Sequence, residues 1–190
     1  MKKVALQAGI LVLAVMFGLP CAYAEKAKVV LLITEQNIEG PQRAWWASEI
    51  DLSTAEAAVA EQLLREGYTV LEPLGLRKVV KQDKAFRMVE MAEDKSVRLG
   101  SLSGADYVVV GKAIASSGGN VPQSNMRSCF ANITARLIRV KYSLVVAYLD
   151  STGSSAHLDV ITGGKEALRN AGQDLAAKII EALKKKEGGK

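Results

Sequence analysis

Hydrophobic and polar positions along the chain predict short strands separated by helical stretches. Residues 28–34 form an almost continuous apolar run rich in β-branched side chains, which is typical of a strand buried on both faces. Residues 68–71 and 106–114 show the same pattern and predict the second and third strands. The turn-rich residues 116–125 then predict an end to the third strand.

A helix is predicted between the first two strands. Ser53 and Glu56 have the spacing of a capping box, in which each residue satisfies a backbone N–H at the start of a helix. Gly67 supplies the left-handed residue that ends many helices. The apolar stripe of this helix consists of Ala55, Val59 and Leu63.

The second half of the chain shows the clearest alternation of apolar and polar residues, over residues 127–140, followed by a turn at 140–143 and a strand at 144–149. This pattern predicts a half-exposed antiparallel hairpin. The last element is a helix over residues 164–186 that we expect to lie across the sheet. On the alternating strand, the predicted apolar face carries Cys129, Ala131, Ile133, Ala135 and Leu137.

Together these elements predict an α/β fold with the order β-α-β-α-β-β-β-α. The charged and mixed residues 74–103 allow two or three short helices, which form the second α of this order. A mixed β-sheet flanked by helices is the economical architecture for it, with residues 35–52 as a long polar and aromatic loop.

The first 24 residues have the organisation of a secretory signal peptide. Lys2 and Lys3 precede an apolar run, and small residues lead to a predicted cleavage between Ala24 and Glu25. A membrane anchor is the alternative, but the run is shorter than the roughly 20 residues that span a bilayer. Lipidation at Cys21 is a minority alternative. We therefore expect one exported domain over residues 25–190.

Composition narrows the class of protein further. The chain has 190 residues, 25 Lys and Arg against 20 Asp and Glu, and two cysteines. The only dense basic stretch of the predicted exported domain, residues 184–186, ends a helix and complements its dipole, so a nucleic-acid partner is not expected. After cleavage Cys129 is the single cysteine, and its place on the apolar face predicts a packed side chain.

Familiar catalytic templates are absent from the sequence. Gly111-Lys112 and Gly164-Lys165 resemble the end of a phosphate loop, but no Ser or Thr follows either pair. No Gly-x-Ser-x-Gly elbow is present, and one His with one remaining Cys does not make a usual zinc site. We expect no enzyme activity, no cofactor and no metal.

Polar and aromatic residues after the first strand form one candidate binding surface. Ligands bind beyond the carboxyl ends of strands in open α/β sheets, and aromatic side chains beside polar ones suit a contact surface. The alternative is that a tryptophan covers the core and the polar residues form a turn. The candidates are Glu35, Gln36, Asn37, Trp45 and Trp46.

A second candidate surface precedes the last helix and contains His157, Asp159, Thr162, Gly163 and Gly164. A helix amino terminus after two glycines can hold an anion, and Asp159 can orient His157. One alternative is therefore a small-molecule or anion site, in which Glu35, Asn37, His157 and the Gly163-Gly164 helix start converge on one cleft. A hydrolase that uses His157 and Asp159 is a weaker alternative. An exposed loop histidine without function is another.

Three segments carry a resemblance to a known family. Residues 104–113 (GADYVVVGKA), 124–129 (SNMRSC) and 131–139 (ANITARLIR) resemble the middle domain of flagellar assembly protein T. They are also similar, more loosely, to the amino-terminal domain of TolB and to the curli secretion lipoprotein CsgG. Both candidate surfaces fit the same pattern.

The resemblance implies a periplasmic α/β module that assists envelope assembly through protein contacts and has no catalytic residues to transfer. Envelope or outer-membrane proteins are the expected partners, with possible peripheral membrane association. The chain departs from flagellar assembly protein T in lacking its flanking domains. The hairpin that is usual in that family is altered in this chain at residues 141–145.

Overall fold

The computed structural model describes residues 26–38, 53–71 and 103–187, together with residues 97, 100 and 101. Residues 97, 100, 101 and 103 are helical. The other described elements, in chain order, are β1 (Lys28–Gln36), α1 (Thr54–Arg65), β2 (Thr69–Leu71), β3 (Tyr107–Asn120), β4 (Arg127–Arg139), a 3-10 turn (Val140–Tyr142), β5 (Leu144–His157) and α2 (Val160–Glu187).

The five described strands form one mixed sheet in the order β2-β1-β3-β4-β5. Strand β1 is parallel to both β2 and β3, and β4 is antiparallel to both of its neighbours, β3 and β5. Parallel neighbours need a crossover, and α1 provides it between β1 and β2. The predicted α/β class and mixed sheet are confirmed.

Helix α1 begins and ends as predicted. The Ser53 hydroxyl accepts from the Glu56 N–H at 3.1 Å, and Gly67 has a φ of +82°. All three residues of the predicted stripe are fully buried. The capping residue and the apolar spacing were therefore sufficient to locate this element.

One face of the sheet packs against α1 and α2 and forms the main core. The apolar stripe of α2 is completely buried there. Helix α2 approaches β5 closely, since a Cβ placed on Gly153 would lie 2.2 Å from the Ala167 carbonyl oxygen. The α2 stripe consists of Leu168, Ala171, Leu175, Ile179 and Leu183.

A smaller apolar cluster lies on the opposite face of the sheet and includes Val30, Leu32, Val108 and Val140. Helical Gly100 covers part of it, because a Cβ there would lie 2.4 Å from the Val108 side chain. Helical residues therefore flank the sheet on both faces.

The alternation of β4 is confirmed over most of the strand, with the half-buried Arg136 and the fully buried Ile138 as exceptions on the polar face. Every residue of its predicted apolar face is buried, and Asn132 and Thr134 on the other face are exposed. Cys129 is fully buried and free, as expected from its place in the pattern. Burial raises the pKa of its thiol.

Four element boundaries differ from the sequence prediction by more than one residue. Strand β1 includes Glu35 and Gln36, β3 continues to Asn120, β5 continues to His157, and α2 begins at Val160. The extended parts are rich in Ser, Gly and Thr, which look like turn residues. They remain strands because partner strands pair with them, for example Ser116 with Phe130.

Several predictions concern residues outside the described part of the chain. These are the signal peptide with its cleavage between Ala24 and Glu25, the alternative lipidation at Cys21, and the loop with Trp45 and Trp46. Most of the helices predicted within residues 74–103 also lie there. Among the helices that are described, none is long and apolar enough to cross a membrane.

Candidate functional site

The carboxyl end of β1, the end of β5 and the start of α2 lie together at one end of the sheet. Asn37 connects two of them, since its side-chain amide donates to the Ile161 carbonyl at 3.2 Å. Its side-chain oxygen accepts from the Ile38 N–H at 2.8 Å. A Cβ on Gly164 would lie 2.1 Å from that oxygen, so the glycine allows this close contact.

Asp159 caps the amino terminus of α2. Its carboxylate accepts from the Thr162 N–H at 2.8 Å and from the Thr162 hydroxyl at 2.6 Å. The Asp159 carbonyl accepts the first intrahelical bond, from Gly163 at 3.0 Å. The hydrogen bonds from Thr162, the side-chain bond foremost, hold the pKa of Asp159 below its usual value. The helix thus begins at Val160, and the prediction of a start at Gly164 was wrong, because an N-cap stands before it.

His157 is oriented by backbone groups rather than by a carboxylate. Its Nδ1 lies 3.0 Å from the Asp159 N–H, which donates to it, while the Asp159 carboxylate is bonded to Thr162. The hypothesis that Asp159 orients His157 is therefore not met by this geometry. Because His157 and Asp159 are only two residues apart, the imidazole ring of His157 contacts the backbone of the turn instead.

The two glycines lie inside the first turn of α2 and are buried. A Cβ on Gly163 would lie 2.6 Å from Cys129 Sγ and 3.1 Å from His157 Cβ. Ser155 also donates its hydroxyl to the Gly163 carbonyl at 2.7 Å. Close packing against β4 and β5 explains Gly163, and the close contact with Asn37 explains Gly164. The Asp159 carboxylate already holds the helix start where an anion was considered.

The buried side chain of Glu35 contacts the start of helix α1. It is 5% exposed, and its carboxylate accepts from the Ala55 N–H at the start of α1, at 2.8 Å. The carboxylate thereby satisfies a backbone donor that the helix itself leaves open. Gln36 is exposed at the last position of β1. The expectation that both belong to a loop was wrong because β3 pairs with β1 as far as Gln36.

The predicted site residues are thus partly brought together. Successive glycines of α2 contact Asn37 on one side and His157 on the other, and Asp159 and Thr162 lie beside them. Glu35 points to α1. The positions of Trp45 and Trp46 lie outside the described residues.

The sequence pattern did not predict that apolar residues are exposed at this end of the sheet. Leu158 is 68% exposed and Ile161 is 42% exposed. The sequence carries one sign of this exposure. Leu158 lies between His157 and Asp159 in a turn, where a polar residue is usual. We define the tip surface as Asn37, His157, Leu158, Asp159, Ile161 and Thr162.

A shallow groove of about 570 Å³ lies between α1 and α2 near their carboxyl ends, away from the tip surface. The Lys184 ammonium bonds to the Glu66 carboxylate across it at 2.9 Å and lowers the pKa of that carboxyl. Within the described ranges, no three His, Cys, Asp or Glu side chains are grouped as metal ligands. Side chains lining the groove are Gln62, Glu66, Gln173, Ala177, Ile180, Glu181 and Lys184.

No protein-family model matches this chain, and none of the curated proteins matches it. The resemblance to flagellar assembly protein T and TolB is therefore not confirmed. Solved structures do match. The hypothetical protein CT253 from Chlamydia trachomatis has a TM-score of 0.51 at 12% identity, covering 83% of this chain and 95% of its own.

Two further matches are more distant. Lipoprotein GNA1162 from Neisseria meningitidis has a TM-score of 0.44 at 14% identity and covers 86% of this chain and 99% of its own. The LpoB carboxyl-terminal domain from Salmonella enterica has a TM-score of 0.40 at 14% identity, covering 73% and 87%. At such identities the comparison shows a shared fold with CT253 and does not show a function.

Proposed function

We propose that this protein is a non-catalytic bacterial envelope module that binds other envelope or outer-membrane proteins through the tip surface. The observation that carries the proposal is the exposure of Leu158 and Ile161 beside polar side chains. Apolar residues grouped within a polar rim are typical of protein contact surfaces.

The polar members of the tip surface support binding rather than catalysis. The Asp159 carboxylate is engaged in capping α2, and the His157 ring nitrogen is engaged by backbone. A nucleophile–base pair needs a side chain free to move a proton, and the contacts of these two groups support a structural role for both. The negative charge of the Asp159 carboxylate also repels an anionic ligand at the start of α2.

The amino-terminal signal pattern supports export, and hence a periplasmic location. The finer proposal is a role in envelope assembly similar to that of the middle domain of flagellar assembly protein T. Trp45 and Trp46 follow Asn37, a residue of the tip surface, by eight and nine positions in the sequence, so we propose that these tryptophans extend the tip surface.

Paired serine substitutions test the proposal. Leu158→Ser combined with Ile161→Ser should lower the capture of envelope proteins about tenfold, equivalent to about 1.4 kcal/mol, because the apolar contact is lost. The measurement is quantitative mass spectrometry of proteins recovered with the tagged chain from native envelopes.

Leu64→Ser is the matched control, since Leu64 is a 57% exposed leucine on α1. It should leave capture unchanged, and thermal melting should show that all variants fold. Equal loss in the control and the tip variant would refute the proposal. Trp45→Ala with Trp46→Ala tests the extension separately.

A further inference from the structure

Strand β5 forms one edge of the sheet, with no strand beyond it among the described residues. It runs for 14 residues, whereas the opposite edge strand, β2, has three. Strand β5 contains no proline and no lysine, and Asp150 is its only acidic residue. Proteins commonly place proline, lysine or other charged residues on an edge strand, because an open edge is a template for pairing with another chain.

Helix α2 runs along this edge and bonds to two of its backbone carbonyl groups. The Lys178 ammonium donates to the Asp150 carbonyl at 2.6 Å, and the Asn170 side-chain amide donates to the Ser154 carbonyl at 2.9 Å. Asp174, one turn before Lys178, pairs with its ammonium at 2.7 Å and holds it in place.

The spacing of the two contacts matches between helix and strand. Eight helical residues separate Asn170 from Lys178, which is a rise of about 12 Å. Four strand residues separate Asp150 from Ser154, which is about 13 Å. Both contacts can therefore form at once, with α2 antiparallel to β5.

The two covered carbonyls are those that an added strand would use. Every second residue of an edge strand directs its N–H and C=O away from the sheet, and Asp150, Thr152 and Ser154 share that orientation. A second β5 paired antiparallel around Thr152 would place Asp150 of one copy opposite Ser154 of the other. This arrangement obeys two-fold symmetry and brings no like charges opposite each other.

We propose that the β5 edge is a self-pairing surface for a second copy of this chain, and that Lys178 and Asn170 keep it closed by occupying the Asp150 and Ser154 carbonyls. The surface is distinct from the tip surface and goes beyond the proposed function. Loss of both side chains exposes the carbonyls to the N–H groups of a second β5.

Removal of the two donors tests the proposal. The purified Asn170→Ala/Lys178→Ala protein should self-associate at least about tenfold more tightly than the unsubstituted protein, measured as the monomer–dimer dissociation constant by sedimentation velocity. The control, Lys165→Ala/Gln173→Ala, alters two exposed α2 residues with the same change of charge and should leave that constant unchanged.

A further substitution identifies the surface. Thr152→Pro removes an outward N–H at the two-fold centre and should return the Asn170→Ala/Lys178→Ala protein to weak association. Thr152→Lys, which places two ammonium groups at that centre, should have the same effect if the proline variant melts early. Unchanged association of the folded double variant, or association that survives both Thr152 changes, overturns the proposal.

Discussion

At the residue scale, hydrogen bonds rather than exposed chemistry explain most of the polar side chains singled out by the sequence. Asp159, Glu35 and Ser53 each satisfy backbone donors at a helix start. The role of Ser53 was predicted, because capping boxes have a fixed local spacing. The role of Glu35 depends on a contact between residues 20 apart, which no local pattern contains.

The cap at Asp159 predicts a pH-dependent stability. Its folded-state pKa lies below the ordinary value, so the cap stabilises the protein above that value and loses its effect as the pH falls through the folded-state pKa. Asp159→Ala should therefore lower the Tm at pH 7, and the difference from the unsubstituted protein should shrink below about pH 4. Calorimetry across that pH range measures both effects.

Asp159→Asn is the control, because asparagine also caps helices but carries no charge. It should lower the Tm less at pH 7 and should not share the acid dependence of the unsubstituted protein. A Tm loss for Asp159→Ala that is equally large at pH 7 and pH 3 would show that the carboxylate does not act as a charged cap.

At the element scale, alternation and helical spacing predicted which faces are buried, and the ends of the elements were less predictable. The five buried residues of the β4 face follow from period two alone. In contrast, the Ser-rich and Gly-rich ends of β3 and β5 are strands only because neighbouring strands pair with them. A single sequence does not contain that partner, so turn-like composition was misleading there.

Close packing of α2 on β5 predicts the effect of a small substitution. Gly153→Ala should destabilise the protein by about 1–3 kcal/mol, because its Cβ would lie 2.2 Å from the Ala167 carbonyl oxygen and 2.4 Å from the Ala171 nitrogen. Both contacts are backbone atoms, which cannot move aside as a flexible side chain can. Chemical denaturation measures the change.

Gly119→Ala provides the comparison within β3, since nothing lies within 4 Å of a Cβ at that position. Its effect should be within about 0.5 kcal/mol of zero. Equal destabilisation by the two alanines would mean that general loss of glycine flexibility, rather than the α2–β5 approach, determines the result.

At the scale of the whole molecule, the tip surface places two exposed apolar side chains, Leu158 and Ile161, beside polar ones at one end of the sheet. The sequence predicted candidate surfaces at the end of β1 and before the last helix, and the Asn37–Ile161 hydrogen bond joins the two regions. Carboxyl ends of strands and a following helix start lie together in α/β sheets. The sequence did not predict Leu158 and Ile161 as exposed, since periodicity alone does not separate a surface leucine from a core one.

The central claim is that the tip surface contacts envelope proteins, and site-specific photo-cross-linking tests it most directly. A photoreactive phenylalanine derivative placed at position 158, in cells that export the protein, should give defined cross-linked bands on denaturing gels. The same residue at position 64 should give none. Cross-links of equal yield at both positions, or at position 64 alone, would contradict the account.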